Sequence, residues 1–374
     1  MAGDYSRTLS GSFHGNKPSL FQRLNVDMPL FFLLMCVCCL GLFVLYSASG
    51  QDWGMVQKQF INYVIGFTAM IFIAQLHPKW LAGWAPWIYA AGVIALVLVL
   101  LVGVGAKGAQ RWLSLGFMRF QPAEIVKLAV PMMVSWYLSH KVLPPLFRHI
   151  AMVLLIIFVP VLLVLKQPDL GTSILVAASG LIILFFAGLG WRWIFSALLV
   201  LCAVAPLMWY GVMHDYQKQR VLTFLDPESD PLGSGWNIIQ SKTAIGSGGV
   251  SGKGWTSGTQ SQLEFLPERH TDFIIAVYSE EFGLVGVLGL LALYAAIIMR
   301  ALYISSLSSD VFGRLLGGGL TITFFIYVFV NIGMVSGILP VVGVPLPLIS
   351  YGGTSVVALL STFGVIMSVY MHKH

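Results

Sequence analysis

Asp272 stands in the tract Leu266-Pro-Glu-Arg-His-Thr-Asp-Phe-Ile274, where a run of charge gives way to a long apolar segment. A carboxylate at the mouth of an apolar helix is costly to keep beside lipid, so its presence there points to a use. Within hydrogen-bond reach of a hydroxyl, a carboxylate can act as a general base, taking the proton as the oxygen attacks. Two further stretches place chemistry-bearing residues beside apolar runs. Lys107-Gly-Ala-Gln-Arg-Trp112 opens one loop and Phe120-Gln-Pro-Ala-Glu-Ile-Val-Lys127 closes it, with Pro122 suited to the first turn of a helix. Glu124 and Lys127, three apart, then share a helix face and can pair. Lys107, Arg111 and Arg119 add an excess of cation suited to a diphosphate headgroup. In Gln167-Pro-Asp-Leu-Gly-Thr-Ser173, Asp169 is poised where a helix begins, and capping free backbone N–H groups is its ordinary use there.

Other chemistries are disfavoured. Gly246-Ser-Gly-Gly-Val-Ser-Gly-Lys-Gly254 superficially resembles a phosphate loop, but Ser247 occupies the first required Gly and Gly254 the required Ser or Thr. The run reads instead as a pliable loop whose backbone can approach a ligand or partner. The four cysteines, Cys36, Cys38, Cys39 and Cys202, lie inside apolar runs and imply no disulfide framework. No His or Cys grouping has metal-ligand spacing, so no structural zinc site is expected. Room remains for a divalent cation, Mg2+ or Mn2+, bridging Asp272 and a diphosphate, because hard cations take oxygens from loops without a sequence pattern. The net charge of +6 is explained by membrane topology and anionic lipid headgroups, and nucleic acid is not an expected partner.

The elements that must position these residues are membrane helices. Only 10% of the 374 residues are charged and 57% are hydrophobic, whereas soluble domains carry about a quarter charged residues. The expected fold is therefore an all-α polytopic bundle. Runs long enough to span a bilayer fall near 28–48, 57–76, 86–104, 122–138, 148–166, 173–189, 194–213, 272–299, 312–338 and 347–371, about ten transmembrane helices. Lys and Arg concentrate in the loops that share a side with residues 1–25, a polar stretch read as a disordered cytoplasmic tail. That bias places both termini in the cytoplasm. Residues 26–374 read as one transmembrane domain, whose long loop at about 214–271 lies on the extracytoplasmic side, as Arg111, Glu124, Asp169 and Asp272 do.

Three features inside the spans read as packing or lining. Gly283, Gly286 and Gly289 recur every third residue, and Gly313 and Gly317 form a small-xxx-small pair, patterns that allow helices to approach closely. Glu280 and Glu281, deeper in the same span as Asp272, read as a buried polar contact with a backbone group or Lys127. Asn331-Ile-Gly-Met-Val-Ser-Gly-Ile-Leu-Pro340 and Pro345-Leu-Pro-Leu-Ile-Ser-Tyr-Gly-Gly353 hold Pro and Gly at membrane depth, which suits a re-entrant segment lining a cavity.

This last stretch, together with Gln167-Pro-Asp-Leu-Gly-Thr-Ser173 and His270-Thr-Asp-Phe-Ile274, resembles the SEDS family (shape, elongation, division and sporulation), and within it the RodA branch. The resemblance runs over nearly the whole chain after about residue 26; Thr354 departs from it, where the family usually has Ser. It implies a multi-pass protein of the bacterial inner membrane that polymerises lipid II into glycan strands. The implied partners are a class B penicillin-binding protein that crosslinks those strands and the wider elongation machinery. The catalytic aspartate of the family falls on Asp272. Its sensitive charged positions fall on Arg111, Glu124 and Lys127, and its Gln-Pro-Asp motif on Asp169. A transporter that flips lipid-linked cell-wall precursors is the alternative, since broken helices and buried charges also mark transport pathways.

Overall fold

The computed structural model describes residues 25–106, 109–114, 119–211, 213, 218, 222–223, 225–226, 235–259 and 268–371. The tail expected over residues 1–25 falls outside them except for Asn25. The chain runs through α1 (Met28–Ala48), α2 (Trp53–Ala74), α3 (Pro78–Val102), β1 (Val104–Ala106), β2 (Ala109–Ser114), β3 (Arg119–Phe120) and α4 (Pro122–Ser139). It continues through α5 (Phe147–Lys166), α6 (Leu170–Phe186), α7 (Trp191–Gly211), α8 (Trp236–Gly248), α9 (Ile274–Ser306), α10 (Val311–Val335) and α11 (Thr354–Met371). Each expected apolar run falls on its own helix. Of these, α1, α2, α3, α5, α9, α10 and α11 are long and apolar enough to cross a membrane, and the chain is an integral membrane protein.

Some helices start where a short polar side chain satisfies their first N–H groups. Asp27 accepts from Leu30 N at 3.0 Å to open α1, and Asp52 accepts from Gly54 N at 2.8 Å to open α2. Most connections between the helices are short; the longest is the segment between α7 and α9. The far end of α9 returns to the start of α1, where Arg300 donates to both oxygens of Asp27 at 3.0 and 2.6 Å. The near end of α9 meets the finish of α1, where Ser47 donates to Glu281.

Three departures from the sequence reading matter for the site. First, the segment between α3 and α4 folds as a small antiparallel sheet, β1 on β2 on β3, in addition to the all-α bundle. Second, the long loop contains a helix of its own, α8, packed against α9. Third, residues 347–353 are not helical: α11 begins at Thr354, and the preceding segment crosses the bundle without regular structure.

Gly283 also departs from the packing role expected of it. It adopts φ 63 and ψ −163 inside α9 and breaks the helix. The glycine-rich run fits into this break. Lys253 N and Gly254 N donate to the carbonyls of Glu280 and Glu281, and Leu284 N and Val285 N donate to those of Gly249 and Val250, all at 3.0–3.1 Å. The pliable backbone seen in the sequence thus satisfies groups that a kinked helix leaves open. Gly313 and Gly317 do act in packing, bringing α10 against Ser308, Ser305 and Val369.

The core has two main parts. One gathers side chains of α1, α2, α9, α10 and α11; the other gathers α3, α4, α5 and α6. A small cluster of Leu175, Tyr327 and Val344 sits apart from both.

Candidate functional site

A polar cavity of about 230 Å³ opens where the two core regions meet, at the end of the bundle that holds Ala48. Its wall includes Glu124 and Lys127 of α4, Asp169 before α6, Asp272 before α9, Tyr327 of α10 and the start of α11. Four of the five residues singled out in the sequence therefore face one space. The fifth, Arg111, belongs to β2 next to Trp112, which lines the cavity; the Arg111 side chain lies outside the described residues, as do those of Lys107 and Arg119.

Glu124 and Lys127 pair as their spacing predicts, with Nζ 2.7 Å from Oε1. Lys127 also lies over the Tyr327 ring, 5.1 Å from its centroid. The ammonium is thus held at the cavity wall by one carboxylate and one aromatic face. Asp169 caps α6, accepting from Thr172 N at 3.2 Å, and its other oxygen accepts from Gln121 Nε2 at 3.3 Å. Capping and facing the cavity are therefore not alternatives for this residue. Gly171 allows the arrangement: a Cβ there would stand 2.5 Å from the Val342 carbonyl, so only glycine lets the first turn of α6 sit against the irregular segment.

Asp272 is half-buried at the end of a turn closed by Glu268, whose carbonyl accepts from Thr271 N at 3.0 Å and Phe273 N at 3.3 Å. Facing it is Gly343, at φ 73, where a Cβ would lie 3.4 Å from Asp272 Oδ2. The irregular segment that carries Gly343 is well held. Tyr63 and Tyr294 donate their hydroxyls to the carbonyls of Leu348 and Pro347, each at 2.6 Å. Gln59, fully buried, donates to Ser350 O at 3.3 Å and accepts from Gly352 N at 3.2 Å. Non-helical backbone at membrane depth is tolerable only when protein satisfies it in this way. The cavity-lining segment expected from its Pro and Gly content is present.

Of the two partners suggested for Glu280 and Glu281, a backbone group or Lys127, Glu280 meets the backbone group, and neither reaches Lys127. Glu280 Oε1 accepts from Lys253 Nζ at 2.7 Å and from the Thr259 N–H and hydroxyl at 2.8 and 3.0 Å. The pair is a buried polar contact, as expected, but it fastens the long loop to the α9 kink rather than lining the cavity. The supporting residues Gln59, Tyr63, Tyr294 and Asn331 were not read as part of the site. Their signal was available: a buried amide or phenol in an apolar helix needs a partner.

Comparison with known proteins fits this arrangement. Residues 28–374 match the model of the FtsW/RodA/SpoVE family of cell cycle proteins. The chain belongs to this family. It is 54% identical over 358 residues to the peptidoglycan glycosyltransferase MrdB of Escherichia coli K12, covering 96% of this chain and 97% of that one. It is 34% identical over 368 residues to the "Probable peptidoglycan glycosyltransferase FtsW" of Geobacter metallireducens, covering 94% and 96%. Among solved structures, the rod shape determining protein RodA of Thermus thermophilus superposes with a TM-score of 0.71 at 29% identity, over 93% of this chain and 97% of that one. A chain from a peptidoglycan synthase complex that coordinates polymerization and crosslinking superposes at 0.84 with 32% identity, over 93% and 98%. The cavity thus lies in a chain whose named relatives are peptidoglycan glycosyltransferases.

Proposed function

We propose that this glycosyltransferase polymerises lipid II into β-1,4-linked glycan strands during cell-wall elongation and maintenance of rod shape. The observation that carries the reading is the gathering of Asp272, the Glu124–Lys127 pair and Asp169 around one polar cavity between two halves of a membrane bundle. The sugar 4-hydroxyl of one lipid II attacks the anomeric carbon of another. Asp272 takes the hydroxyl proton as the new C–O bond forms. The bond from the anomeric carbon to the diphosphate breaks, and its electron pair leaves on undecaprenyl diphosphate. That leaving group needs cations more than a proton, and Lys127, with Arg111 on the neighbouring strand, supplies them. One displacement turns an α-linked donor into a β-linked product, so no covalent enzyme intermediate forms.

The same reading places the protein in the bacterial inner membrane with both termini in the cytoplasm, the cavity opening to the extracytoplasmic side. A class B penicillin-binding protein is the proposed crosslinking partner, and membrane lipids surround the bundle. Among the described residues no three His, Cys, Asp or Glu side chains gather as a metal site. The residues fit a divalent cation, Mg2+ or Mn2+, only if the diphosphate supplies most of its oxygens and Asp272 the remainder. A chelator is then expected to slow polymerisation while leaving the melting temperature of the substrate-free protein unchanged. A drop in that melting temperature would point to a resident ion.

The deciding experiment is reconstituted lipid II polymerisation by wild type and Asp272→Asn. The variant is expected to make no polymer while still folding and binding its partner; full polymerisation would remove the general-base assignment. The alternative of precursor transport rests on the broken α9 and the irregular 340–353 segment. Vesicles separate the two. Polymer from lipid II already in the outer leaflet supports the enzyme, whereas translocation without polymer supports the transporter.

A further inference from the structure

Asn331 is fully buried in α10, is absent from the cavity wall, and opens a stretch that the sequence marks only for its Pro and Gly content. We infer that it is a positioning residue for Asp272, acting through the main chain, with Ser350 as its counterpart on the irregular segment; the inference rests on the general-base reading of Asp272.

Three successive carbonyls lead up to the base, and each is held from outside its own turn. His270 O accepts from Tyr351 N at 2.9 Å, Thr271 O from Ser350 Oγ at 2.6 Å, and Asp272 O from Asn331 Nδ2 at 2.9 Å. The Asn331 amide does more than hold one of them. Its second N–H donates to Val344 O at 2.6 Å, next to the Gly343 that faces the Asp272 carboxylate. One planar group therefore fixes the separation between the base and the backbone opposite it. Ser350 works in parallel, donating to Thr271 O and accepting from Leu346 N at 2.8 Å.

The choice of side chain supports a positional role over simple packing. Both neighbours of the Asn331 amide nitrogen are carbonyls, so the NH2 must face them, and Oδ1 is left buried with no hydrogen-bond partner among the described residues. An orphaned buried acceptor costs roughly 1–3 kcal/mol, so a side chain chosen only to fill α10 would have been apolar. The amide is retained where it pins two cavity-facing segments. A base must be held within about 0.5 Å of its productive position, and a 1 Å error can cost about a hundredfold in rate.

The test uses the purified complex with its crosslinking partner and lipid II as substrate. Asn331→Leu keeps the volume and removes both donors. It is expected to lower kcat about 10- to 100-fold with KM within about threefold, and to displace the acidic limb of the kcat profile against pH. Ser350→Ala is expected to lose at least about tenfold, and Ser350→Thr, which keeps the hydroxyl, to recover most of it. If Asn331→Leu does not fold, the Ser350 pair decides. Wild-type kcat in Asn331→Leu, or equal loss in Ser350→Ala and Ser350→Thr, overturns the inference. Asp272→Asn in the same assay separates the two readings: activity there removes the general base, whereas an inactive Asp272→Asn beside a fully active Asn331→Leu and Ser350→Ala removes only the positioning role.

Discussion

At the residue scale the site depends on charges that are held before any substrate arrives. Lys127 and Glu124 keep only 14% and 10% of their side-chain surface exposed, so each is costly without the other. Lys127→Met strands the Glu124 carboxylate and is expected to lower stability by roughly 3 kcal/mol, at the lower end for buried pairs because both side chains retain some exposure. Glu124→Gln combined with Lys127→Met removes the stranded charge and should restore most of the melting temperature. Lipid II consumption should remain at least about tenfold low in both, since the cation proposed to meet the diphosphate is gone in each. Recovery of consumption in the double variant would take Lys127 out of the chemistry. These charged residues were legible in the sequence because charge beside apolar runs is conspicuous. The residues that hold them were not, because Gln59, Tyr63 and Tyr294 act by donating to carbonyls more than 50 positions away in the chain, and no local pattern announces that.

At the element scale the chain solves one problem twice: irregular backbone inside a membrane bundle must find donors and acceptors. The 340–353 segment finds them in side chains of α2, α9 and α10, and the α9 kink finds them in the Gly249–Gly254 backbone. Gly283 is the residue on which the second solution turns. Its φ 63, ψ −163 conformation is open essentially to glycine alone, and a Cβ would lie 2.4 Å from Gly252 N. Gly283→Ala is therefore expected to lower stability by at least about 1–3 kcal/mol. Gly289→Ala, where an added Cβ meets nothing within 4 Å, should be neutral or stabilising by up to about 1 kcal/mol. Melting of the two purified variants in one detergent checks the contrast, and equal melting temperatures would mean that the break in α9 is not set by Gly283. The sequence showed a glycine every third residue and so suggested a packing stripe. Whether a glycine serves close approach or a forbidden dihedral depends on what lies across from it, here a loop some 30 residues upstream. The seven described helices able to cross a membrane were legible because length and apolarity are enough to mark them, whereas α8 and the β1–β3 sheet are short elements stabilised by what they pack against.

At the scale of the whole molecule, polarity is divided between the two ends of the bundle. The end with Asp27 is closed by the Arg300–Asp27 pair, and Lys79 sits there beside the exposed Trp80, Trp84 and Trp87 on one face of α3, a pattern suited to a membrane interface. The other end holds the cavity, the loop that reaches α9, and every site residue. A polymerase of an extracytoplasmic sugar works only if that second end faces outward, so orientation is a direct test of the chemistry. Val250 and Val142 report on the two ends, being 67% and 86% exposed and absent from the cavity wall. In a chain whose four cysteines are replaced, Val250→Cys should react with a membrane-impermeant maleimide in spheroplasts. Val142→Cys should react only after the membrane is permeabilised. The reverse pattern would put Asp272 in the cytoplasm, against the positive-inside bias and away from the strand being built. Equal labelling of both positions before permeabilisation would mean leaky spheroplasts, which a cytoplasmic marker protein carrying one exposed cysteine identifies in the same preparation.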